Sequence, residues 1–135
     1  MLVNHRIKEI RLYRRFEGKE LAKRAGLTPG AISHLEKKIR TPRIDTLQKI
    51  GPALDVTTNF LLGEEDAGLP LPRALARQSL KIFLRDNEVT PQEQAYLQRV
   101  CELDSAPDTV KGWRDLLTNL AQWGLGPESF AIKLG

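Results

Sequence analysis

Hydrophobic side chains recur every three or four residues along most of the chain, which is the spacing of amphipathic helices. Beyond residue 72 no segment alternates between apolar and polar positions as a half-buried strand does. The pattern predicts an all-α chain of eight helices. They lie at about 4–15, 19–25, 29–37 and 45–54, within 55–63, at about 73–86, after Thr90, and from about 105 to 123.

The stretch 18–37 contains two short helices joined by a tight turn. Gly26 stands where a sharp turn needs a positive φ, which glycine adopts at little cost. Thr28 supplies a hydroxyl that can cap the second helix, and Pro29 occupies its first position, where no N–H is required. Ala22 is small at the point where the two helices cross. These features predict a helix-turn-helix, whose second helix can enter the DNA major groove.

Other helix ends are also marked in the sequence. Asn4 is expected to cap the first helix, and Thr57 or Thr58 the fifth. Thr90 and Glu93 have the spacing of a capping box. Pro52 lacks a backbone donor inside a helical pattern, so we expect a kink or an early end there.

Many positions between Ile7 and Gly63 follow one known pattern. They are Leu21-Ala22, Ala25-Gly26-Leu27-Thr28, Ile32-Ser33, Leu35-Glu36, Arg40-Thr41-Pro42, Leu47, Leu54-Asp55-Val56 and Phe60-Leu61-Leu62-Gly63. In order and spacing this run resembles the helix-turn-helix domain of the lambda-repressor-like, Cro/CI (Xre) family. The resemblance covers a little under half of the chain. It implies five short helices around one core, and binding to double-stranded DNA.

The remaining sequence predicts a division into a DNA-binding domain at 1–63, an acidic linker with glycine and proline at 64–72, and a helical region at 73–135. Three helices in about 60 residues form a marginal core. We therefore expect the C-terminal region to form a homodimer, with folding back onto the first domain as the alternative. The wide apolar face of the last helix supplies the expected dimer contacts, which are Trp113, Leu116, Leu117, Leu120 and Trp123.

Charge is distributed unevenly along the chain. Residues 1–63 contain 13 Lys/Arg and 6 Asp/Glu, whereas residues 64–135 contain 8 and 11. A basic first half favours a polyanionic partner and an acidic second half a protein partner. A basic solvated surface explains the charge alone equally well, and the motif decides for DNA.

The resemblance also implies which side chains face DNA. Base contacts are expected from Thr28, Pro29, Gly30, Ser33, His34 and Lys37. Relatives commonly carry a glutamine or another hydrogen-bonding residue in the place of Pro29. Because Pro29 and Gly30 have no side-chain donor or acceptor, base readout shifts to Ser33 and His34, with His34 as plain solvated surface the alternative. Gly30 is expected to let the helix approach closely, and Pro29 to touch a thymine methyl.

Phosphate contacts are expected from helix N-termini and flanking cations. The expected residues are Gly18, Lys19, Lys23, Lys38, Arg40 and Arg43, and for each cation a solvated surface charge is the alternative. Relatives often place a glutamine at the position of Gly18, so only backbone N–H groups are expected to serve there. Glu36 is expected to tie the second helix of the motif to a basic residue within the domain.

Two functions fit these features. The first is a sequence-specific transcriptional regulator, expected to be a repressor, that acts as a homodimer on a palindromic operator. The alternative is an antitoxin or phage-type control protein whose C-terminal helices bind a partner protein. The sequence lacks a Ser-His-Asp set, a glycine-rich phosphate loop and paired histidine ligands, so no enzyme, metal or cofactor is expected. One cysteine, no secretory signal and no membrane-length apolar run predict a cytoplasmic protein.

Overall fold

The computed structural model describes residues 2–37 and 42–122, except the side chains of Leu2 and Gln122. The described residues form eight α-helices and contain no strand, which confirms the all-α prediction. The helices are α1 Leu2–Tyr13, α2 Gly18–Ala25, α3 Pro29–Glu36, α4 Ile44–Leu54, α5 Thr58–Leu61, α6 Leu71–Asp86, α7 Pro91–Val100 and α8 Val110–Gln122. None of these helices is long and apolar enough to cross a membrane.

The chain divides into two compact units, Met1–Leu71 and Pro72–Gly135. The first unit holds α1 to α5, and the second holds α7, α8 and nearly all of α6. The boundary lies inside the stretch 64–72 that was predicted to be a linker.

One apolar core holds the first unit together. Helix α3 packs on α1 and α2, while α4 packs on α2 and α5. Ala22 on α2 is buried, and α2 packs against α3. The larger buried side chains are Ile7, Ile10, Leu21, Ile32, Leu35, Leu47, Ile50, Leu54, Val56, Phe60 and Leu61.

The helix ends inside the motif follow the sequence prediction. Gly26 has φ 70° and closes α2 in the left-handed conformation. The hydroxyl of Thr28 accepts a hydrogen bond from the Ala31 N–H at 3.1 Å, with Pro29 at the start of α3. The choice left open for α5 falls on Thr57, whose hydroxyl accepts from the Phe60 N–H at 3.0 Å.

Two predictions near helix starts are wrong. Asn4 does not cap α1, because the helix begins at Leu2 and Asn4 lies buried within it. The helical spacing of Ile44, Leu47, Ile50 and Leu54 predicts that all four side chains face inward, yet that of Ile44 is 56 % exposed. Ile44 is the first residue of α4, and the buried face of that helix begins only at Leu47.

Helix α4 continues through Pro52 to Leu54, so the predicted early end is wrong. The backbone then folds back tightly, because the Val56 N–H donates to the Gly51 carbonyl oxygen at 3.0 Å. A Cβ atom at Gly51 would lie 2.8 Å from the Val56 carbonyl oxygen. This close approach between two backbone segments requires glycine at position 51.

The second unit has its own core, formed by α6, α7 and α8. Its buried members are Ala76, Leu80, Phe83, Tyr96, Leu97, Cys101, Trp113 and Leu120. The indole N–H of Trp113 donates to the Ser79 hydroxyl at 2.9 Å, and this hydroxyl donates to the Ala76 carbonyl at 3.1 Å. The burial of the indole therefore leaves no unpaired donor.

The predicted capping box at the start of α7 is present, whereas α8 starts later than predicted. The capping box between Thr90 and Glu93 is confirmed, because each residue bonds the backbone N–H of the other. Helix α8 begins at Val110, later than the predicted start at about residue 105. There the Thr109 hydroxyl accepts from the Gly112 N–H at 2.9 Å.

Replacing Gly51 with alanine is expected to lower the free energy of unfolding by about 1–3 kcal/mol, because the new methyl group would press on the Val56 carbonyl. Chemical denaturation of the full chain measures this change. Gly68→Ala is the control, since a Cβ at Gly68 meets nothing within 4 Å. Equal stability of the two variants would show that the backbone at Gly51 is free to move apart.

Candidate nucleic-acid interface

Helix α3 has a buried face and an exposed face. Ile32 and Leu35 are buried in the first unit, and this fixes which side of α3 faces outward. The outward side and the turn before it carry the six residues predicted to contact bases. All six are exposed, and they are Thr28, Pro29, Gly30, Ser33, His34 and Lys37.

Polar contacts from α1 hold the C-terminal end of α3. The Arg11 Nε and Nη2 atoms donate to the Glu36 carboxylate at 2.8 and 2.7 Å. The two side chains are only 14 % and 11 % exposed. The Asn4 side-chain amide donates to the Leu35 carbonyl oxygen at 2.6 Å, so it uses one of the last carbonyls of the helix.

The predicted structural role of Glu36 is confirmed, with Arg11 as its basic partner. Hydrogen bonding to Glu36 raises the pKa of the Arg11 guanidinium, although desolvation acts in the opposite direction. The Arg11 Nη1 atom also donates to the Phe16 carbonyl at 2.7 Å, between α1 and α2. One guanidinium thus connects the end of α1, the segment before α2 and the end of α3.

A groove of about 410 Å³ opens beside the exposed face of α3. It brings together predicted contacts from the start of α2 and from α3, and it adds a lysine from α1. The lining residues are Lys8, Arg11, Gly18, Lys19, Pro29, Ile32, Ser33, Glu36 and Lys37. Because Glu36 is the one acid among four basic residues in this lining, the groove is electropositive and suited to an anion.

The other predicted phosphate contacts are arranged less tightly. Lys23 is exposed on α2 and does not line the groove. Arg43 is exposed before α4, and its Nε atom lies 3.7 Å from the Asp45 Oδ1 atom. Lys19, which also lines the groove, has its Nζ atom 3.3 Å from the Glu17 Oε2 atom. Exposed pairs of this kind are weak and leave the cation available to a stronger anion. Lys38 and Arg40 lie outside the described residues.

Lys8 is a candidate contact that the sequence interpretation did not select. In the sequence, helical spacing gives the first helix a basic face, but it does not show which of the cations lies beside α3. These cations are Arg6, Lys8, Arg11, Arg14 and Arg15. Lys8 and Arg11 are one helical turn apart and therefore share a face. The expected pairing of Glu36 with a basic residue within the domain did not specify a helix, so no sequence signal singled out Lys8.

The expected dimer contacts on α8 are mostly used within the second unit. Trp113 is 0 % exposed and Leu120 is 6 % exposed. Neither side chain therefore lies at the surface of the second unit, where a dimer contact was expected. Leu116 and Leu117 are half-buried and pack against the same cluster. Trp123 lies outside the described residues.

The acidity of the second half also has a different location from the one inferred. Residues 72–135, which form the second unit, contain 8 Lys/Arg and 8 Asp/Glu. The excess of acid comes from Glu64, Glu65 and Asp66, which belong to the first unit. The second unit therefore has no excess of acidic residues, and the charge argument for a protein partner does not apply to it.

Other features of the described residues offer no competing site. Within 2–37 and 42–122, no group of three or more His, Cys, Asp or Glu side chains is placed to hold a metal ion. A smaller cavity of about 80 Å³ lies against α1 and residues 66–71, and none of the predicted contact residues lines it. Cys101, the one cysteine of the sequence, is buried in the core of the second unit.

Comparison with known proteins supports the assignment of the first unit. Residues 7–61 match the profile of the helix-turn-helix family of Cro/CI type. The HTH-type transcriptional regulator SinR of Bacillus licheniformis is 35 % identical over 66 residues, which are 48 % of this chain and 60 % of the relative. SinR of Bacillus subtilis (strain 168) is 34 % identical over 65 residues, 47 % of this chain and 59 % of the relative.

These alignments span about 60 % of the length of the curated relatives. The matched segment 7–61 contains α2 to α5 and the part of α1 from Ile7 onward, and so both helices of the motif together with Arg11 and Glu36. We conclude that the first unit of this chain is a helix-turn-helix domain of the Cro/CI (Xre) family.

Proposed function

We propose that the protein is a transcriptional regulator that binds double-stranded DNA with α3 in the major groove. The observation that carries this proposal is the position of the electropositive groove directly beside the exposed face of α3. A helix that reads bases needs cations at its flank, because most contacts to DNA are made to phosphates. The matched relatives are named as transcriptional regulators, which agrees with this function.

Base readout is assigned to the exposed side chains of α3. Ser33 and His34 lie in the middle of the helix and carry groups that donate or accept hydrogen bonds. Thr28 and Lys37 flank them at the two ends. The rigid attachment of Glu36 to Arg11 supports this role, because sequence discrimination requires that the side chains keep their positions when DNA binds.

Phosphate binding is assigned to the groove. Lys8, Lys19 and Lys37 come from three different segments and converge on one space. The N-terminus of α2 lies at the same place, and the side chain of Glu17 makes no capping hydrogen bond there. Backbone N–H groups at Gly18 and Lys19 therefore add a partial positive charge for a phosphate oxygen.

We further propose that the regulator is a homodimer that represses transcription by occluding a promoter. One short recognition helix contacts few bases, whereas a symmetric dimer reads two half-sites on a palindrome. The second unit is assigned to dimerisation. Because Trp113 and Leu120 serve its internal core, the half-buried Leu116 and Leu117 are the described members of the expected set that remain for this contact.

Selection of random duplexes by the purified full chain tests this proposal. We expect enrichment of a palindrome whose half-site centres are about 34 Å apart, one turn of DNA. A single unpaired site would contradict the dimer but retain the regulator. Binding without sequence preference, driven only by low salt, would contradict sequence-specific regulation.

Lys8→Ala is expected to weaken binding to selected and random duplexes alike, because phosphates carry no sequence information. The slope of log K against log salt should fall by about one for each protomer. Fluorescence anisotropy titrations at several salt concentrations measure both quantities. Lys49→Ala is the control of equal charge change, since Lys49 is exposed on α4 and does not line the groove. Equal slopes for the two variants would remove Lys8 from the contact set.

His34→Ala is expected to weaken binding to the selected duplex by about tenfold, the range for one lost base contact. Binding to random duplex should stay unchanged, because the imidazole is assigned to a base and not to a phosphate. Competition titrations measure the ratio of the two affinities. His5→Ala, at an exposed histidine near the start of α1, is the control. If His34→Ala leaves the ratio of the two affinities unchanged, the imidazole is a solvated surface group that contacts no base.

A further inference from the structure

Gly30 is the second residue of α3 and lies on the exposed face that the proposed function assigns to DNA. The following inference rests on that function. Glycine is a poor residue inside a helix, because it loses more backbone entropy on folding than alanine does. A glycine at this position therefore calls for a physical reason.

Two other glycines of the first unit have reasons within the fold. Gly26 adopts φ 70°, a conformation that residues with a Cβ atom seldom adopt. Gly51 has the Val56 carbonyl oxygen 2.8 Å from the place of a Cβ atom. Backbone conformation explains the first glycine and lack of space explains the second.

Neither reason applies to Gly30. Its φ does not lie in the positive range, and the nearest atom to a Cβ placed there is the Thr28 hydroxyl oxygen at 4.0 Å. That distance is an ordinary van der Waals contact. The domain thus has room for a side chain at this position, and the reason for glycine must be sought outside the domain.

The neighbouring residue shows what kind of surface meets this position. Pro29 presents an exposed apolar ring beside Gly30, and neither side chain can form a hydrogen bond. Among the groups that bases display in the major groove, only the 5-methyl group of thymine is apolar. Side chains without donors or acceptors favour that methyl group over the polar edges of the other bases.

We propose that the first turn of α3 recognises a thymine, with its 5-methyl group packed against Pro29 in the space that a side chain at position 30 would fill. Gly30 is then a specificity-determining residue, because its lack of a side chain leaves the space that the methyl group occupies. The hydrogen bonds of Ser33 and His34, one turn further along α3, read neighbouring positions of the same half-site.

Deoxyuridine tests this proposal, because it differs from thymidine only by the absence of the 5-methyl group. Each thymine of the selected duplex is replaced in turn, and affinity is measured by anisotropy with the full chain. At one position in each half-site we expect about fourfold weaker binding, the value for one buried methyl group. The other replacements should have little effect.

Gly30→Ala completes the test. The added methyl group should weaken binding to the thymine duplex and bring the affinity ratio between the thymine and uracil duplexes close to one. The same substitution should raise the melting temperature by a few degrees, because alanine favours the helix. Gly68→Ala, at an exposed glycine outside α3, should keep the affinities of the unaltered chain.

The outcomes separate this inference from the proposed function. A chain that selects a duplex but binds every uracil replacement as tightly as thymine overturns the inference alone. Gly30→Ala with unchanged or tighter binding to thymine also overturns it, because the space would then not be needed. A chain that selects no sequence overturns both the inference and the sequence-specific function on which it rests.

Discussion

The bidentate contact between Arg11 and Glu36 is the interaction on which the exposed face of α3 most depends. Only two residues of this eight-residue helix, Ile32 and Leu35, are buried, so apolar packing alone leaves its direction weakly determined. The guanidinium and carboxylate are planar groups that meet through two parallel hydrogen bonds, and this geometry specifies orientation as well as distance. Because both groups are largely excluded from solvent, removal of either partner would leave a charge without compensation.

The same contact also shapes the surface beside the helix. Glu36 would repel phosphate if it stood free in the groove. Its pairing with Arg11 neutralises it and leaves Lys8, Lys19 and Lys37 to set the sign of the potential. One ion pair therefore fixes the exposed face of α3, to which base contacts are assigned above, and keeps the adjoining groove electropositive.

The second unit presents a different physical problem. A tryptophan near a wide apolar face looked like an interface residue in the sequence, yet Trp113 is fully buried and its indole N–H bonds Ser79. A small three-helix unit needs its largest side chain to complete its own core. The proposed dimerisation by this unit would then use side chains that the core leaves partly exposed, such as Leu116 and Leu117.

Most of the local structure was predictable because it depends on neighbours in the chain. The turn at Gly26, the cap at Thr28 and the capping box at Thr90 all involve residues within about four positions of each other. The exposure of the six expected base contacts also followed from helical spacing, once Ile32 and Leu35 were placed in the core. Their contact with DNA remains a prediction.

The sequence by itself thus determined the helices of this protein, most of their ends and the outward side of α3, since these follow from short-range sterics and periodicity. Only the tertiary structure decided that Asn4 and Arg11 hold the end of α3, because their partners lie 31 and 25 residues away in the chain. It alone placed Lys8 in the groove, Ile44 at the surface and Trp113 in a core. Each of these outcomes depends on which helix faces meet, and contacts between distant segments set those meetings.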